Sequence, residues 1–411
     1  MPTVDCVVRH ARIADGIPLR DLAIDQGRIV AVGEALPHQG RQELRLEGRV
    51  VLPGFVDLHM HLDKALTARD SPNPEGTLRG AIAASDRLKP AATKADLIAR
   101  ATRVVEMAIR AGTCALRTHT DVDDVVGLRG IEALLEVREA YRGRVRIQVV
   151  AFPTGRFSRD VAEGRALIRQ ALRAGADVLG GVTFATHDPP RQIDHLFALA
   201  REFDRDLDLH VDETDDPRML SLEYLADKTV REGYQGRVCA GHCCSLAVVD
   251  DQTARRVIEK VREAGITVIT NPATNLYLQG RRGHPQWRGL TRVRELLQAG
   301  VNLAVASDNV RDPFNPFGRA DLLESALLLA LAAQLGSPEE QAAALAMATT
   351  NPARAMGLQG YGLVEGAVAN LVVLEAHAVG DVLAEQPMRA AVMLSGERLD
   401  IQAPSGAPPL G

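Results

Sequence analysis

The strongest constraint on the fold is a regular alternation of strand-like and helix-like segments after Pro53. Eight short apolar runs there have the length and composition of buried strands. They are Gly54–His61, Thr113–Thr120, Arg146–Phe152, Asp177–Val182, Leu207–Asp212, Arg237–His242, Thr267–Thr270 and Asn302–Ser307. Eight strand-then-helix units predict an α/β protein built on a (β/α)8 barrel of the TIM type.

Helical patterns fill the intervals between these runs. The clearest are Lys94–Ala111, Gly130–Ala140, Val161–Ala174, Arg191–Phe203 and Ala254–Ala264. Gly112, Gly175 and Gly265 stand where helix C-caps are expected. A doubly wound sheet is the rival fold, but the chain contains neither a G-x-G-x-x-G motif nor a phosphate loop. These features favour the barrel.

Shorter β-like runs lie at both ends of the chain. The amino-terminal runs, which predict a small antiparallel sheet, are Asp5–His10, Leu22–Ile24, Arg28–Val32, Gln42–Leu46 and Arg49–Leu52. Similar runs return at Leu371–Leu374 and Ala391–Leu394, and we expect them to complete that sheet. The predicted division is therefore a small domain of residues 1–54 and 355–411 around a barrel of residues 55–354.

Composition narrows the class of protein. Hydrophobic residues make up 46% of 411 residues and the net charge of −5 is spread without long runs of one sign. These values are typical of a soluble globular protein and disfavour nucleic acid or a membrane as partner. The longest strongly apolar run, Ser325–Leu335, is shorter than the ~20 residues that a spanning helix needs. We expect a cytoplasmic homo-oligomer that acts on small molecules.

Histidine and aspartate side chains end several of the predicted barrel strands. His59 and His61 are two residues apart, so both side chains face the same side of the first strand. His210 lies in the fifth strand, His242 ends the sixth, and Asp308 follows the eighth. Barrel enzymes place their active sites at this carboxyl rim. The pattern therefore predicts one site formed by residues distant in sequence.

Three imidazoles and a carboxylate suit Zn²⁺ or Fe²⁺, and a metal with an open position lowers the pKa of bound water toward neutrality. Hydrolysis is the chemistry that follows. A second metal needs a bridging ligand such as a carboxylated lysine. No lysine occurs between Lys94 and Lys228, and neither the third nor the fourth strand contains glutamate. We predict one divalent metal ion per chain. His242 is either a further ligand or, as we favour, the residue that holds the attacking hydroxide.

Glu213 is the candidate for proton transfer. It lies three residues after His210, so it points to the opposite face unless the strand ends near Asp212. Asp215 and Asp216 are compatible with such a break. A carboxyl group beside an activated water can carry a proton to a substrate nitrogen.

Six motifs together resemble the metal-dependent amidohydrolase superfamily, within it the cytosine deaminase-like branch. They are Pro53–Lys64, Arg117–Asp123, Val150–Pro153, His210–Asp216, Asn271–Pro272 with Leu278–Arg281, and Ser307–Pro313. The resemblance implies a distorted (β/α)8 barrel with a small β-sandwich domain formed by both termini. It also implies that the metal ligands are His59, His61, His210 and Asp308. Glu213 and His242 then handle protons, and Asp308 helps to pass one to the departing ammonia.

The same resemblance implies a hydrolytic deaminase that releases ammonia by attack of metal-bound hydroxide. Its substrate is a small nitrogen heterocycle: a cytosine-like pyrimidine, a triazine, a pterin or a cyclic guanidine. The alternative is hydrolysis of a cyclic amide or of an N-alkylamino heterocycle such as N-isopropylammelide. A metal-free binding protein is disfavoured because every predicted ligand is present. Deaminases of polynucleotides use H-x-E with P-C-x-x-C, and neither pattern occurs here.

Substrate contacts are predicted where the chain departs from cytosine deaminases. Thr154 replaces their pyrimidine-binding glutamine, Asn309 replaces the second of two aspartates, and Phe314 replaces a tryptophan. We expect these three residues to orient the ring. An Arg156 side chain in the pocket would favour a substrate with an anionic or carbonyl-rich edge. The segment Asp63–Thr77 is a candidate lid.

Overall fold

The computed structural model describes residues 2–281, 284 and 286–401. The first five strands are β1 (Thr3–Ala11), β2 (Arg20–Asp25), β3 (Arg28–Gly33), β4 (Gln39–Arg45) and β5 (Val50–Pro53). Four of them form a sheet in the order β3-β2-β1-β4. The expected single antiparallel sheet is wrong in two respects: β1 and β4 pair in parallel, and β5 belongs to a different sheet. Periodicity identifies strands, but it does not specify which strands pair.

The barrel strands follow, joined side by side in chain order. They are β6 (Phe55–Met60), β7 (Thr113–Val122), β8 (Arg146–Pro153), β9 (Val178–Val182), β10 (Asp206–Val211), β11 (Val238–His242), β12 (Thr267–Thr270) and β13 (Leu303–Val305). All eight predicted strands are present, and every described pairing between them is parallel. β7 is buried along its whole length, as expected for a strand covered on both faces.

The ring closes beside Asp308, beyond the end of β13. The Asp308 backbone N–H donates to the carbonyl of His59 at 2.8 Å, and the His61 N–H donates to the Asp308 carbonyl at 3.2 Å. β13 is shorter than the predicted Asn302–Ser307. These two hydrogen bonds nevertheless place Asp308 directly beside the two histidines of β6.

Thirteen α-helices occur in the described part of the chain. They are α1 (Leu78–Leu88), α2 (Lys94–Ala111), α3 (Arg129–Ala140), α4 (Val161–Ala174), α5 (Pro189–Phe203), α6 (Ser221–Arg231), α7 (Asp251–Glu263), α8 (Pro272–Leu278), α9 (Val293–Gln298), α10 (Leu322–Ala333), α11 (Pro338–Met347), α12 (Thr350–Ala355) and α13 (Val382–Glu385). Gly112 and Gly175 cap α2 and α4 with φ of 101° and 117°, which confirms two predicted ends. Among the described helices, none combines the length and the apolar character required to cross a membrane.

A second small sheet contains the last strands, β14 (Leu371–Leu374), β15 (Arg389–Leu394) and β16 (Glu397–Leu399). Its order is β16-β15-β14-β5 and all of its pairs are antiparallel. The carboxyl-terminal strands therefore join β5 and do not extend the first sheet. Val8 and Leu22 of the first sheet share a buried cluster with Val51 and Val373 of the second. The predicted β-sandwich from both termini is confirmed.

Candidate active site

Left-handed backbone marks the carboxyl ends of three barrel strands. Asp212, His242 and Asp308 have φ of 49°, 69° and 57°, a conformation that costs non-glycine residues free energy. β10 ends at Val211, so the strand alternation stops before Glu213. The break that Glu213 requires is therefore present, and its side chain lines the same cavity as His210.

Asp212 holds this turn in place through the start of α6. Its carboxylate accepts hydrogen bonds from the backbone N–H of Ser221 at 3.0 Å, from the Ser221 hydroxyl at 2.6 Å and from the Leu222 N–H at 2.9 Å. The side chain is only 1% exposed. The residue that turns the chain is thus anchored by a helix terminus.

The four predicted metal ligands converge. The Nε2 atoms of His61 and His210 are 3.1 Å apart. One carboxylate oxygen of Asp308 lies 3.6 Å from His59 Nε2 and 3.5 Å from His61 Nε2. A ligand atom from each of His59, His61 and Asp308 lies within 4.8 Å of the others. The structure therefore brings together residues from both ends and the middle of the barrel sequence.

The donor atoms of this cluster fit a cation. Both ring nitrogens of His59, the Nδ1 of His210 and both carboxylate oxygens of Asp308 are buried without a hydrogen-bond partner among the described residues. Buried polar atoms are normally satisfied, and these five unpartnered nitrogen and oxygen atoms in one place are of the types that bind a divalent cation. Burial lowers the pKa values of His59, His61 and His210, which favours the neutral imidazoles that bind metals.

Glu213 and His242 lie on another side of this cluster. Glu213 Oε1 is 3.7 Å from His242 Nδ1, and an Asp308 oxygen is 4.0 Å from the same nitrogen. Burial, reinforced by the charge of Asp308, raises the pKa of Glu213 well above its ordinary value. Burial also lowers the pKa of His242 to about 3. Burial thus favours the protonated form of the Glu213 carboxyl group and the neutral form of the His242 imidazole.

Asparagine and glutamine side chains of α8 and its flanks support this pair. Asn275 Nδ2 lies 3.0 Å from His242 Nδ1, and Asn271 Nδ2 lies 3.4 Å from both ring nitrogens. Gln279 donates to the backbone carbonyl of Glu213 at 3.2 Å. Asn271 and Gln279 fall in the motifs Asn271–Pro272 and Leu278–Arg281, but a motif does not indicate what its side chains contact.

The cavity beside the cluster encloses about 670 Å³, including its open mouth. Phe152, Phe184 and Phe314 contribute aromatic surface to it. The predicted substrate contacts Thr154, Asn309 and Phe314 all line the cavity. Thr154 donates its hydroxyl to Asp123 at 2.9 Å, and Asn309 donates its amide to Asp312 at 2.8 Å. Both side chains are thereby held in fixed orientations.

Arg156 lies outside this cavity. Its side chain is half exposed and its nearest carboxylate partner is Asp124, at 3.5 Å. The guanidinium also lies over the ring of Phe157. Arg156 would favour a substrate with an anionic or carbonyl-rich edge only if its side chain lay in the pocket, and it does not.

The sequence did not single out Lys89, which lines the cavity wall at the end of α1. Its ammonium lies 2.8 Å from Asp123, 2.9 Å from Asp86 and 3.0 Å from Asp121. Asp121 also accepts from Lys64 at 2.8 Å. Only five lysines occur in this arginine-rich chain. The rarity of lysine is the one feature of the sequence that could have drawn attention to Lys89. The structure shows that two of the five lysines are buried in this wall.

Comparison with known proteins places this site in a family. The sequence profile of the Amidohydrolase family matches residues 42–156 and 70–398. This chain belongs to the amidohydrolase family. The amidohydrolase is 35% identical to a pterin deaminase of Rhizobium rhizogenes over 98% of this chain and 93% of that protein. It is 31% identical to N-isopropylammelide isopropyl amidohydrolase of Pseudomonas sp. strain ADP, over 95% and 96% of the two chains.

Among solved structures, the amidohydrolase resembles a 5-methylcytosine deaminase from Klebsiella pneumoniae liganded with phosphonocytosine. The TM-score is 0.90 and the identity is 30%, with coverage of 96% of this chain and 97% of that one. The resemblance inferred from the six motifs, to the cytosine deaminase-like branch of the superfamily, is confirmed.

Proposed function

We propose that this amidohydrolase uses water to remove an exocyclic amino group from a small nitrogen heterocycle, with release of ammonia. The observation that carries the proposal is the convergence of unsatisfied histidine and aspartate atoms beside Glu213 and His242 in one cavity. The relatives support it, since two of the three named above are deaminases of heterocycles.

The ligands of one divalent ion, Zn²⁺ or Fe²⁺, would be His59, His61, His210 and Asp308. When bound, such an ion lowers the pKa of a coordinated water so that hydroxide forms near neutral pH. Nitrogen and carboxylate donors in this number suit either metal. The raised pKa of Asp308, which burial and Asp312 cause, applies to the protein without a cation, and a cation favours the charged carboxylate.

The protein's own groups move the protons. Glu213 donates a proton to the ring nitrogen beside the reacting carbon, which makes that carbon more electrophilic. His242, held by Asn275, forms a hydrogen bond with the attacking water and orients it. An Asp308 oxygen, 4.0 Å from His242 Nδ1, is placed to take one proton from the attacking water and pass it to the departing nitrogen, and the second proton of that water restores Glu213. Ammonia then leaves as the neutral molecule.

Ring orientation falls to the cavity wall. Phe314 offers an apolar face to a planar ring, while Thr154 and Asn309 are the polar groups that form hydrogen bonds with the edge of the ring. The candidate substrates are aminopyrimidines of the cytosine type, aminotriazines, pterins and cyclic guanidines. In all four classes an amino nitrogen is attached to a carbon that also has a ring nitrogen.

Ammonia release tests the proposal. The purified chain is stripped of metal, loaded separately with zinc or iron, and assayed with one member of each ring class. We expect ammonia that depends on added metal and that falls by at least about 100-fold in Glu213→Gln. Asp216→Asn is the matched control, because Asp216 lies in the same loop but pairs with Arg218 outside the cavity. A metal-loaded, folded protein that releases no ammonia from any ring contradicts the proposal.

A second candidate is hydrolysis of an N-alkylamino heterocycle. Lys64 lines the cavity, with its ammonium 3.2 Å from His61 Nδ1, and it ends the motif Pro53–Lys64, which resembles the N-isopropylammelide-hydrolysing branch. The 31% identity to that branch supports it. Release of isopropylamine without ammonia from any of the rings favours this reaction; cyclic amide hydrolysis gives neither product. The domain division, the homo-oligomer and the cytoplasmic location stay predictions.

A further inference from the structure

Asp208 lies one layer beneath the metal-ligand cluster inside the barrel. It precedes His210 by two residues on β10, so both side chains face the same side of the strand. Its carboxylate is fully buried, and one oxygen accepts a hydrogen bond from Arg117 at 2.7 Å. Arg117 is itself 1% exposed, and its Nε donates to Gln148 at 2.9 Å. A buried ion pair therefore fixes the plane of the Asp208 carboxylate.

The other Asp208 oxygen, Oδ1, points toward the cluster. It lacks a hydrogen-bond partner among the described residues and lies 3.9 Å from His59 Nδ1. His119 Nε2 approaches the same oxygen to 3.4 Å. His59 Nδ1 is also without a partner. Two orphaned buried atoms of complementary chemistry thus face each other across slightly more than a hydrogen-bond distance.

Packing alone does not decide which edge of the His59 ring faces the metal. The ring centroid lies 4.1 Å from that of His119 at an interplanar angle of 35°, and a Cβ on Gly241 would lie 3.1 Å from His59 Cε1, so both neighbours contact the ring closely. A ring turned by 180° has the same outline but exchanges a nitrogen for a carbon. A hydrogen bond to one nitrogen is what distinguishes the two orientations.

We infer that Asp208 accepts the Nδ1–H of His59 and thereby directs the Nε2 lone pair of that ring at the metal. The inference rests on the proposed metal site. A neutral imidazole has one N–H, so a proton on Nδ1 leaves Nε2, which lies 3.6 Å from Asp308, as the ligand atom. Metal-binding histidines generally donate their second nitrogen to a carboxylate in this way. Asp208 is a positioning residue, and the hydrogen bond from Arg117 holds its carboxylate in place.

Asp208→Asn tests this role, because it preserves shape and removes the charged acceptor. We expect zinc affinity, measured by competition with a chromophoric chelator, to fall about 10- to 100-fold. Cobalt loaded into the same variant should show altered visible absorption bands. Asp21→Asn is the matched control: Asp21 is a buried aspartate paired with Arg9 at 2.9 Å in the β-sandwich, and its loss should change neither readout.

The outcomes separate the two claims. If the wild-type protein binds no metal, the proposed function and this inference both fail. If Asp208→Asn binds zinc and cobalt as the wild type does, only this inference is overturned. Should the variant not fold, a crystal structure of the zinc-loaded wild type decides: His59 Nε2 on the metal with Nδ1 within about 3.2 Å of Asp208 supports the inference. Nδ1 on the metal overturns it.

Discussion

The Nε2 atoms of His61 and His210 lie 3.1 Å apart although three strands separate β6 from β10 in the sheet. Only curvature of the sheet into a barrel brings these strands to opposite sides of one small space. Two neutral imidazoles satisfy such a contact with one shared proton, whereas a cation satisfies both lone pairs. The relationship therefore connects the fold directly to the proposed metal site.

His210→Ala should abolish stable metal binding, because it removes one of the four proposed ligands. Metal content, measured after dialysis, should fall from about one ion per chain to a small fraction of that. His377→Ala is the control, since His377 is exposed and should leave the content unchanged. Full retention of metal in the folded His210 variant would show that the ligand set is different.

Asn275→Leu should slow turnover without releasing the metal. The change removes the amide that lies 3.0 Å from His242 Nδ1, so the imidazole loses the group that holds it in the orientation that the proposed mechanism requires. We expect kcat to fall about 10-fold or more, in line with the loss of one hydrogen bond in a buried network. Leu276→Ala, at an exposed neighbour on α8, controls for effects on the helix. A loss of metal in Asn275→Leu would point instead to a role in the metal site.

Lys89→Met should destabilise the fold. The side chain is 9% exposed and neutralises Asp121 and Asp123, which the change would leave as buried negative charges with one fewer partner. The expected cost is about 3 kcal/mol of unfolding free energy, measured by urea denaturation. Lys94→Met removes a lysine from the exposed pair with Glu136 and should leave the midpoint nearly unchanged. Equal midpoints for the two variants would mean that the Lys89 cluster contributes little.

Glu223 should make stability depend on acidity. Its hydrogen bond from Arg256, together with Lys260, lowers its pKa from the ordinary 4.5 to about 2. The stabilisation is therefore fully present above the unfolded pKa and is lost as pH falls from there toward the folded value. After allowance for solvent screening, Glu223→Gln should cost about 1 kcal/mol at neutral pH and less near pH 3. Urea unfolding at the two pH values measures the difference in unfolding free energy between the wild type and the variant. A difference that is larger near pH 3 than at neutral pH would contradict the lowered pKa of Glu223.

Much of the barrel was predictable because strand and helix periods are local properties of the sequence. The strand at Thr267–Thr270 and the helices α2 and α4 have the predicted bounds. The pairing of β1 with β4 and of β5 with β14 was not predictable, because it joins segments whose local patterns are compatible with several partners. The chain termini therefore form two sheets where the pattern had predicted one.

In the candidate site, too, local sequence patterns predicted some residues, whereas others depend on tertiary contacts. His59, His61 and Asp308 could be placed by strand alternation and strand ends, and Glu213 needed only the break that Asp212 provides. The position of Lys89 in the cavity wall could not be predicted. The residue follows a helix outside every motif, and its ion pairs with aspartates distant in sequence hold it in the wall. The direction of Arg156 was open for a related reason, since loop side chains follow tertiary contacts.

Incorporation of labelled oxygen tests the central claim most directly. The metal-loaded enzyme is given its best ring substrate in H₂¹⁸O, and ammonia and product are analysed together by mass spectrometry. Hydrolytic deamination predicts one ammonia for each product molecule and one ¹⁸O at the carbon that lost its amino group. Ammonia without ¹⁸O in the product, or labelled product with no ammonia, would contradict this account.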